Sequence, residues 1–497
     1  MARRFRDGTI LVSDVDSPPV DVTAVPELPR PGVAATDGGR TGPRGAQPGD
    51  ADAVRPVGSF SDRVVVLLVT QVAQVAIGIM NGILLARLLG PTGKGEYYLL
   101  TLLPATLTVL VQLGLAQAFG FFAARSQTQG LFARSLSMTL ALSLPAIVVT
   151  AALLPMLRAT ILRDLDPTLI VVGLWSLPLL LSATFATSIV MGRQAVRWNA
   201  VIGIAQGLAT TLLFVLLLGV AGFGVGGALA AFLVAAAIQA AGFLLAASLV
   251  LKSIPNEKPA TYGGLVRYGL PFYPGSITLY FGYRADVYLL AALLMDSSAA
   301  VGYYSMAVSM AEMVFFVPNA VEGLFFPRVA ASTRVEADQQ VASVCRVTLV
   351  ASAAAAIILV PVAVGLVHVI LPAFKPSLAA LYVLLPGVVA LSNTKVLSGY
   401  VSGLGMTGTT SAVHVTAFVF NVLVNVLLIP RYGIVGAAAS SLISYAASSV
   451  MFSWIAARLA GRNVLEFWIP RASDVRYAMT QAVTLGQRTI HAVARHP

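Results

Sequence analysis

The chain has 497 residues, 57% of them hydrophobic and only 11% charged, with a formal net charge of +11. Soluble domains carry roughly a quarter charged residues, and a globule of this size needs a polar skin that this composition does not supply. A soluble enzyme and a basic nucleic-acid binder are thereby excluded; the excess Lys and Arg read as membrane orientation signals, with attraction to anionic lipid headgroups as a further implication.

In chain order, residues 1–60 come first, rich in Pro and Gly, with seven Arg against eight Asp/Glu and no periodicity. Such a composition cannot offset the entropy of ordering, so a disordered cytoplasmic tail is expected over 1–62. The basic start Arg3-Arg4-Phe5-Arg6 is followed only by Thr9-Ile10-Leu11-Val12 before Asp14. That is shorter than the apolar stretch of about 7–15 residues in a signal peptide.

From Arg63 the pattern changes. Leu99–Ala124, Trp198–Val220, Val225–Leu251 and Ala412–Pro430 contain no Asp, Glu, Lys or Arg. A membrane-crossing helix needs about 20 apolar residues. The pattern predicts an all-α polytopic membrane protein of about twelve transmembrane helices. They are placed near 64–89, 97–123, 134–157, 168–192, 199–221, 226–251, 269–294, 302–327, 344–372, 378–404, 411–429 and 436–459. An even count puts both termini on one side. Loops on that side hold 10 Lys and Arg and the opposite loops 6, which predicts a multi-pass cell-membrane protein with both ends cytoplasmic.

The spans divide into an N-lobe over 63–251 (spans 1–6), a cytoplasmic linker over 252–268 and a C-lobe over 269–459 (spans 7–12). Lys94-Gly95-Glu96-Tyr97-Tyr98 opens the second span and Ala300-Val301-Gly302-Tyr303-Tyr304 the eighth, 206 residues on. Gly222-Phe223-Gly224-Val225-Gly226-Gly227-Ala228 matches Arg431-Tyr432-Gly433-Ile434-Val435-Gly436-Ala437 at an offset of 209. Two six-helix lobes related by a parallel repeat, with a substrate path between them, are a transporter design. Gly78-x-x-x-Gly82, Gly203-x-x-x-Gly207 and Gly399-x-x-x-Gly403 permit close helix approach.

A charge at bilayer depth costs about 2.5–3.5 kcal/mol on insertion scales, so charges within spans carry information. Arg284 and Asp286 lie midway along span seven, Glu312 in span eight and Lys395 in span ten. The first half offers only neutral polar groups at depth, among them Gln74 and Asn81. The functional reading puts Arg284, Lys395, Asn81 and Gln74 on a substrate-binding cavity. There Arg284 and Lys395 hold an anion such as a pyrophosphate, because arginine's planar fork donates paired hydrogen bonds. Asp286 and Glu312 are candidates for coupling to a cation or proton. The bland alternative is that these charges pair to neutralise a helix interface. Residues 284 and 286 are two apart and so point to different sides of a regular helix.

Pro271 and Pro274 fall in the first turns of span seven, where they predict either a hinge or a plain helix start that tolerates proline. The tail over 460–497 includes an amphipathic pattern at 475–493, expected either to lie on the cytoplasmic leaflet or to fray. Catalytic motifs are absent, so no enzyme activity is expected. Gly90-Pro91-Thr92-Gly93-Lys94-Gly95 lacks the spacing and the Ser/Thr of a phosphate loop. The single Cys345 excludes an intrachain disulfide; no cofactor or metal is expected.

Leu88-Leu89-Gly90-Pro91-x-x-x-Gly95-Glu96-Tyr97, Val301-Gly302-Tyr303-Tyr304-Ser305-Met306-Ala307, Phe326-Pro327-Arg328 and Leu428-Ile429-Pro430-Arg431-Tyr432-Gly433-Ile434-Val435-Gly436-Ala437-Ala438 stand in this order. The set resembles the polysaccharide transporter, or O-antigen flippase, family of the multidrug/oligosaccharidyl-lipid/polysaccharide exporter superfamily, over about 63–459. The resemblance implies two lobes that rock between inward- and outward-open states, carrying a polyprenyl-pyrophosphate-linked oligosaccharide to the outer leaflet for cell-surface polysaccharide. The lipid tail would stay in the bilayer. It also implies membrane lipids and polysaccharide polymerase or assembly proteins as partners, and no nucleic acid. Asp286 sits where the family often has an acidic residue. The competing readings are a cation-coupled multidrug exporter of the same superfamily, a membrane-embedded sugar polymerase or glycosyltransferase using the loop Arg158–Pro167, and a non-transporting scaffold of envelope assembly.

Overall fold

The computed structural model describes residues 60–125, 127–252, 259–474 and 476. The expected tail lies outside them apart from 60–62, which open the first helix, and the amphipathic pattern at 475–493 lies outside them apart from residue 476. Among the described residues nine helices are long and apolar enough to cross a membrane. Two of them, Phe60–Val111 and Thr407–Ala460, contain 52 and 54 residues. At 1.5 Å per residue each would be about 80 Å long, more than twice the hydrocarbon thickness. Each is broken by a glycine in the left-handed region, Gly90 at φ 66° and Gly433 at φ 56°. The breaks divide these helices into two spans apiece. Tyr273–Leu293 supplies the twelfth span; Arg284, Asp286 and four tyrosines make it more polar than the rest.

The other spans are Leu131–Ala152, Val196–Phe214 continued by a π turn Val215–Val220, Gly224–Lys252, Arg334–Val369 and Pro376–Gly403. Three are composite. Span two resumes as Leu115–Ala124 after a break at Gln112–Gly114. Span four is Pro167–Leu174 followed by Ser176–Gly192. Span eight is Ser297–Ala311, a 3-10 turn Glu312–Phe315 and Phe316–Ala331. Pro318 has no N–H for the Val314 carbonyl, which accounts for the tightened turn before it.

Apolar surface faces outward along the bundle. Leu212 is 59% exposed, Val220 77%, Ile357 72% and Leu427 61%, whereas small and hydroxyl residues line the helix contacts. In water each such side chain would cost about 1.5–3 kcal/mol; in hydrocarbon it is solvated by lipid. This inside-out pattern makes the chain a multi-pass membrane protein.

One buried cluster, including Leu115, Phe119, Phe185, Ile189 and Phe243, holds the N-terminal lobe; another, including Val341, Tyr400, Val413 and Phe452, holds the C-terminal lobe. A third joins them. It brings Leu99, Leu100, Ile170 and Leu229 against Leu290, Tyr304, Leu381 and Ala437. With the spans alternating in direction, this junction lies at the end of the bundle distal to residues 60 and 460. There spans two and eight touch backbone to backbone: a Cβ on Gly95 would overlap the Ser298 carbonyl, and one on Gly302 the Pro91 carbonyl.

The internal repeat appears in the backbone. Gly224 and Gly433, 209 residues apart, share φ 56° at the turns before spans six and twelve. Of the three Gly-x-x-x-Gly pairs, two act as expected. Gly203 and Gly207 leave room for Gln74 and Ile77 of span one, and Gly403 for Val329 of span eight. Gly78 and Gly82 do not: nothing lies within 4 Å of a Cβ on either, because they face open space.

Two stretches assigned to linker and tail are more ordered than their polar composition predicts. Within 252–268 a short helix, Tyr262–Gly269, is capped by the Thr261 hydroxyl and packs Leu265 into the N-terminal lobe's cluster. Past Ala460, a 3-10 turn Val464–Phe467 seats Phe467 fully inside the C-terminal lobe's cluster. Phe467's carbonyl accepts from the Asn393 amide at 3.1 Å, and Trp468 donates to the Ser453 hydroxyl at 3.0 Å.

Candidate functional site

A cavity of about 620 Å³ lies between the lobes. Span one contributes Val75, Gly78, Ile79, Gly82 and Ile83, an apolar wall opened by its two glycines. Span seven contributes Tyr280, Tyr283 and Arg284, which share one face at helical spacing, while Asp286 turns into the C-terminal lobe. Span eight adds Met306, Ser309, Met310, Glu312 and Phe315, and span ten adds Lys395.

The charged groups form a connected set. Arg284 Nη1 lies 3.1 Å from Glu312 Oε1 and donates to the Tyr98 hydroxyl at 3.0 Å. Their side chains are 26% and 37% exposed, so a molecule in the cavity can reach both. Lys395 Nζ is 3.7 Å from Glu322 Oε2 and sits over the rings of Phe315 and Tyr283, at 5.3 and 5.8 Å from their centroids. Lys94 also lines the cavity, its Nζ donating to the Ser305 hydroxyl at 2.7 Å. Among the described residues no carboxylate lies within salt-bridge reach of Lys94. Arg284 and Lys395 thus carry their carboxylate partners into a site walled by apolar and aromatic side chains, with the buried Lys94 amine beside them. There the field of an unbalanced charge is screened far less than in water.

The structure therefore brings Arg284, Lys395 and Glu312 together. Asp286 does not line this cavity: it is buried, accepts from the Tyr304 and Ser441 hydroxyls and from the Val287 amide, and shares with Glu312 only a small space behind it. Gln74 and Asn81 are placed elsewhere too, on a second cavity within the N-terminal lobe. Pro271 lies in a 3-10 turn, Leu270–Phe272, between the short helix and span seven, and Pro274 in that span's first turn.

Sequence reasoning missed Lys94 and Glu322. Lys94 lies just outside a second span placed at 97–123, whereas the helix resumes at 91 and carries Lys94 inward. Glu322 lay within the expected eighth span, and its charge was the overlooked signal.

The sequence profile of the family described as "Polysaccharide biosynthesis protein" matches residues 61–331, more than half the chain. A curated relative, "Probable flippase AglR" of Haloferax volcanii, is 26% identical over 165 residues, 31% of this chain and 34% of the relative. The chain thus matches about a third of that relative's length. Of solved structures, "Lipid II flippase MurJ, inward closed conformation" aligns with a TM-score of 0.62 and 11% identity, over 86% of this chain and 93% of that one. An inward-facing multidrug resistance MATE family transporter of the MOP superfamily aligns with a TM-score of 0.56 and 13% identity, over 80% and 98%. At such identities the likeness is one of fold, and the fold is the two-lobe transporter fold.

Proposed function

The chain belongs to the polysaccharide biosynthesis protein family, and from that premise we propose that it flips a polyprenyl-pyrophosphate-linked oligosaccharide across the cell membrane by alternating access. The observation that carries this reading is the cationic cavity between the lobes. Arg284 offers a planar fork matched to phosphate oxygens, Lys395 adds a point charge, and Lys94 adds an amine donor. Glu312 and Glu322 balance Arg284 and Lys395, which lowers the cost of keeping charge at bilayer depth. An entering pyrophosphate takes over the Arg284–Glu312 contact, and its departure restores the pair. The Met and aromatic wall accommodates the first prenyl carbons, while the rest of the lipid tail stays in the bilayer. The loop bias in Lys and Arg supports an orientation with both termini in the cytoplasm.

Export of cationic drugs is the second reading, favoured by the lining of Met306, Met310, Met313, Tyr283 and Phe315. Against it, both carboxylates at this site are already engaged by Arg284 and Lys395.

Lipid-linked glycans in a depletion strain, extracted and resolved by mass spectrometry, test the proposal. Accumulation in the cytoplasmic leaflet, relieved by the wild-type chain but not by Arg284→Ala inserted at equal level, is the expected result. Unchanged lipid-linked glycans together with altered dye efflux would move the assignment to the drug exporter.

A further inference from the structure

The second cavity, about 400 Å³, lies inside the N-terminal lobe between spans one, two, five and six. Its lining holds no charged residue. Side-chain amides face it instead: Gln74, Asn81, Asn199, Gln206 and Gln239. Two of these hold the lobe together. Gln74 donates to the Asn199 carbonyl at 3.3 Å, and Asn81 donates to the Gly207 carbonyl at 3.1 Å while accepting from the Thr211 hydroxyl at 2.7 Å. The side-chain amides of Asn199, Gln206 and Gln239 make no hydrogen bond to another described residue. Each presents two N–H donors and a carbonyl acceptor. A polar group left unpaired within a span costs free energy, so Gln206 and Gln239 favour a polar occupant beside them. The rings of Tyr97, Phe232 and Phe243 complete the wall.

Neutral groups that both donate and accept, set beside aromatic faces, suit a ligand rich in hydroxyls and carrying no charge. The cavity also adjoins the cationic one, since Gly78 lines both and a Cβ there would meet nothing within 4 Å. A pyrophosphate held by Arg284 is joined directly to the first sugar of a lipid-linked glycan. We infer that the amide-lined cavity of the N-terminal lobe is the sugar site, with Asn199, Gln206 and Gln239 hydrogen-bonding the glycan's hydroxyls while the cations between the lobes hold its pyrophosphate. This rests on the flippase reading. It divides recognition into a charge-dependent step common to all pyrophosphate-linked lipids and a neutral step that selects among glycans.

The test uses the full chain in nanodiscs and two kinds of probe: farnesyl pyrophosphate, and the same lipid carrying glucose, galactose or N-acetylglucosamine on its terminal phosphate. At least one sugar-bearing probe is expected to bind about tenfold more tightly than farnesyl pyrophosphate, the worth of one or two neutral hydrogen bonds. Gln206→Leu/Gln239→Leu should erase that gain and leave farnesyl pyrophosphate binding unchanged, which also shows that the variant is folded. Should the double variant not insert, Asn199→Ala carries the same comparison. Equal affinity of every probe for the wild type, or a full sugar gain in the variants, would overturn the sugar site while leaving the cationic site standing. Absence of farnesyl pyrophosphate binding, or binding indifferent to Arg284→Gln, would overturn the flippase reading and the sugar site with it.

Discussion

At the scale of single residues, the Arg284–Glu312 pair decides how the central cavity treats an anion. Glu312 pairs with the guanidinium, so it competes with any phosphate for the same donors. Glu312→Gln removes the competing charge and leaves Arg284 with the Tyr98 hydroxyl. Affinity for inorganic pyrophosphate should rise roughly tenfold, and turnover should fall because release is slowed; charge-assisted hydrogen bonds and the pair's partial exposure set that scale. Isothermal titration and a vesicle flipping assay read the two effects, and unchanged affinity would remove Arg284 from the anion site. Beyond the last span, Asp474 Oδ2 lies 2.6 Å from Nε of Arg346 on the helix Arg334–Val369, both side chains 6% exposed, and Arg346 Nη1 donates to the Glu466 carbonyl at 2.9 Å. Burial alone would raise the Asp474 carboxyl, but the Arg346 guanidinium and the Arg471 amide hold it below the usual carboxylate range. A depressed carboxylate stabilises the fold fully above its unfolded value of about 4 and loses that contribution only as pH falls below it. Docking of 461–474 should therefore be constant from about pH 5 to 8, as limited proteolysis can establish. Asp474→Ala should loosen it at every pH by about 3 kcal/mol, leaving Arg346 buried without its carboxylate.

At the scale of elements, glycines sort into those that close helices together and those that open space. Gly95 and Gly302 bring spans two and eight into backbone contact, with the opposing carbonyls where a methyl group would go. Gly78 and Gly82 carry the same sequence signature on span one and face the cavity. Gly95→Ala should cost about 1–3 kcal/mol in the bundle through overpacking, seen as a lower melting temperature in detergent. Gly78→Ala should leave the melting temperature nearly unchanged, apart from the slight gain of Ala over Gly in a helix. Equal shifts for the two variants would mean that span one packs differently from what its open glycines imply.

At the scale of the whole molecule, the lobes are fastened at their distal end by a loop that sequence reasoning considered only as a site for catalysis. Arg163 donates to the carbonyls of Ala291 and Leu294, at 3.0 and 2.5 Å, at the C-terminus of span seven. Asp164 accepts from the hydroxyls of Ser297 and Ser298, at 2.6 and 3.4 Å, at the start of span eight. A cation at a helix C-terminus and an anion at a helix N-terminus are each favoured by the helix dipoles. Leu162 and Leu165 bury into the junction on either side. An opening at that end must break all of these contacts. Arg163→Ala/Asp164→Ala should therefore shift the population toward a distally open state, which labelling of a cysteine placed at Ser309 from the distal side can measure. Labelling equal to that of the parent cysteine variant would show that the loop does not hold the lobes.

Membrane residence, the helical class, twelve spans and the doubled six-span plan were legible in the sequence, because long uncharged runs and repeated glycine turns are local patterns with local causes. Arg284, Glu312 and Lys395 were legible from the cost of a charge at bilayer depth. The partner each charge takes was not: Tyr98 and Glu322 meet Arg284 and Lys395 only because different spans come to face one another. The same holds for Gln74 and Asn81, which periodicity cannot tell from cavity residues beside Arg284, and which helix rotation turns into a separate pocket. Lys94 depended on where a helix resumes after Gly90, and Phe467 on a groove in the C-terminal lobe that receives it. What depends on neighbours along the chain was written in the sequence; which faces meet across the bundle was decided by the packing of the spans against one another.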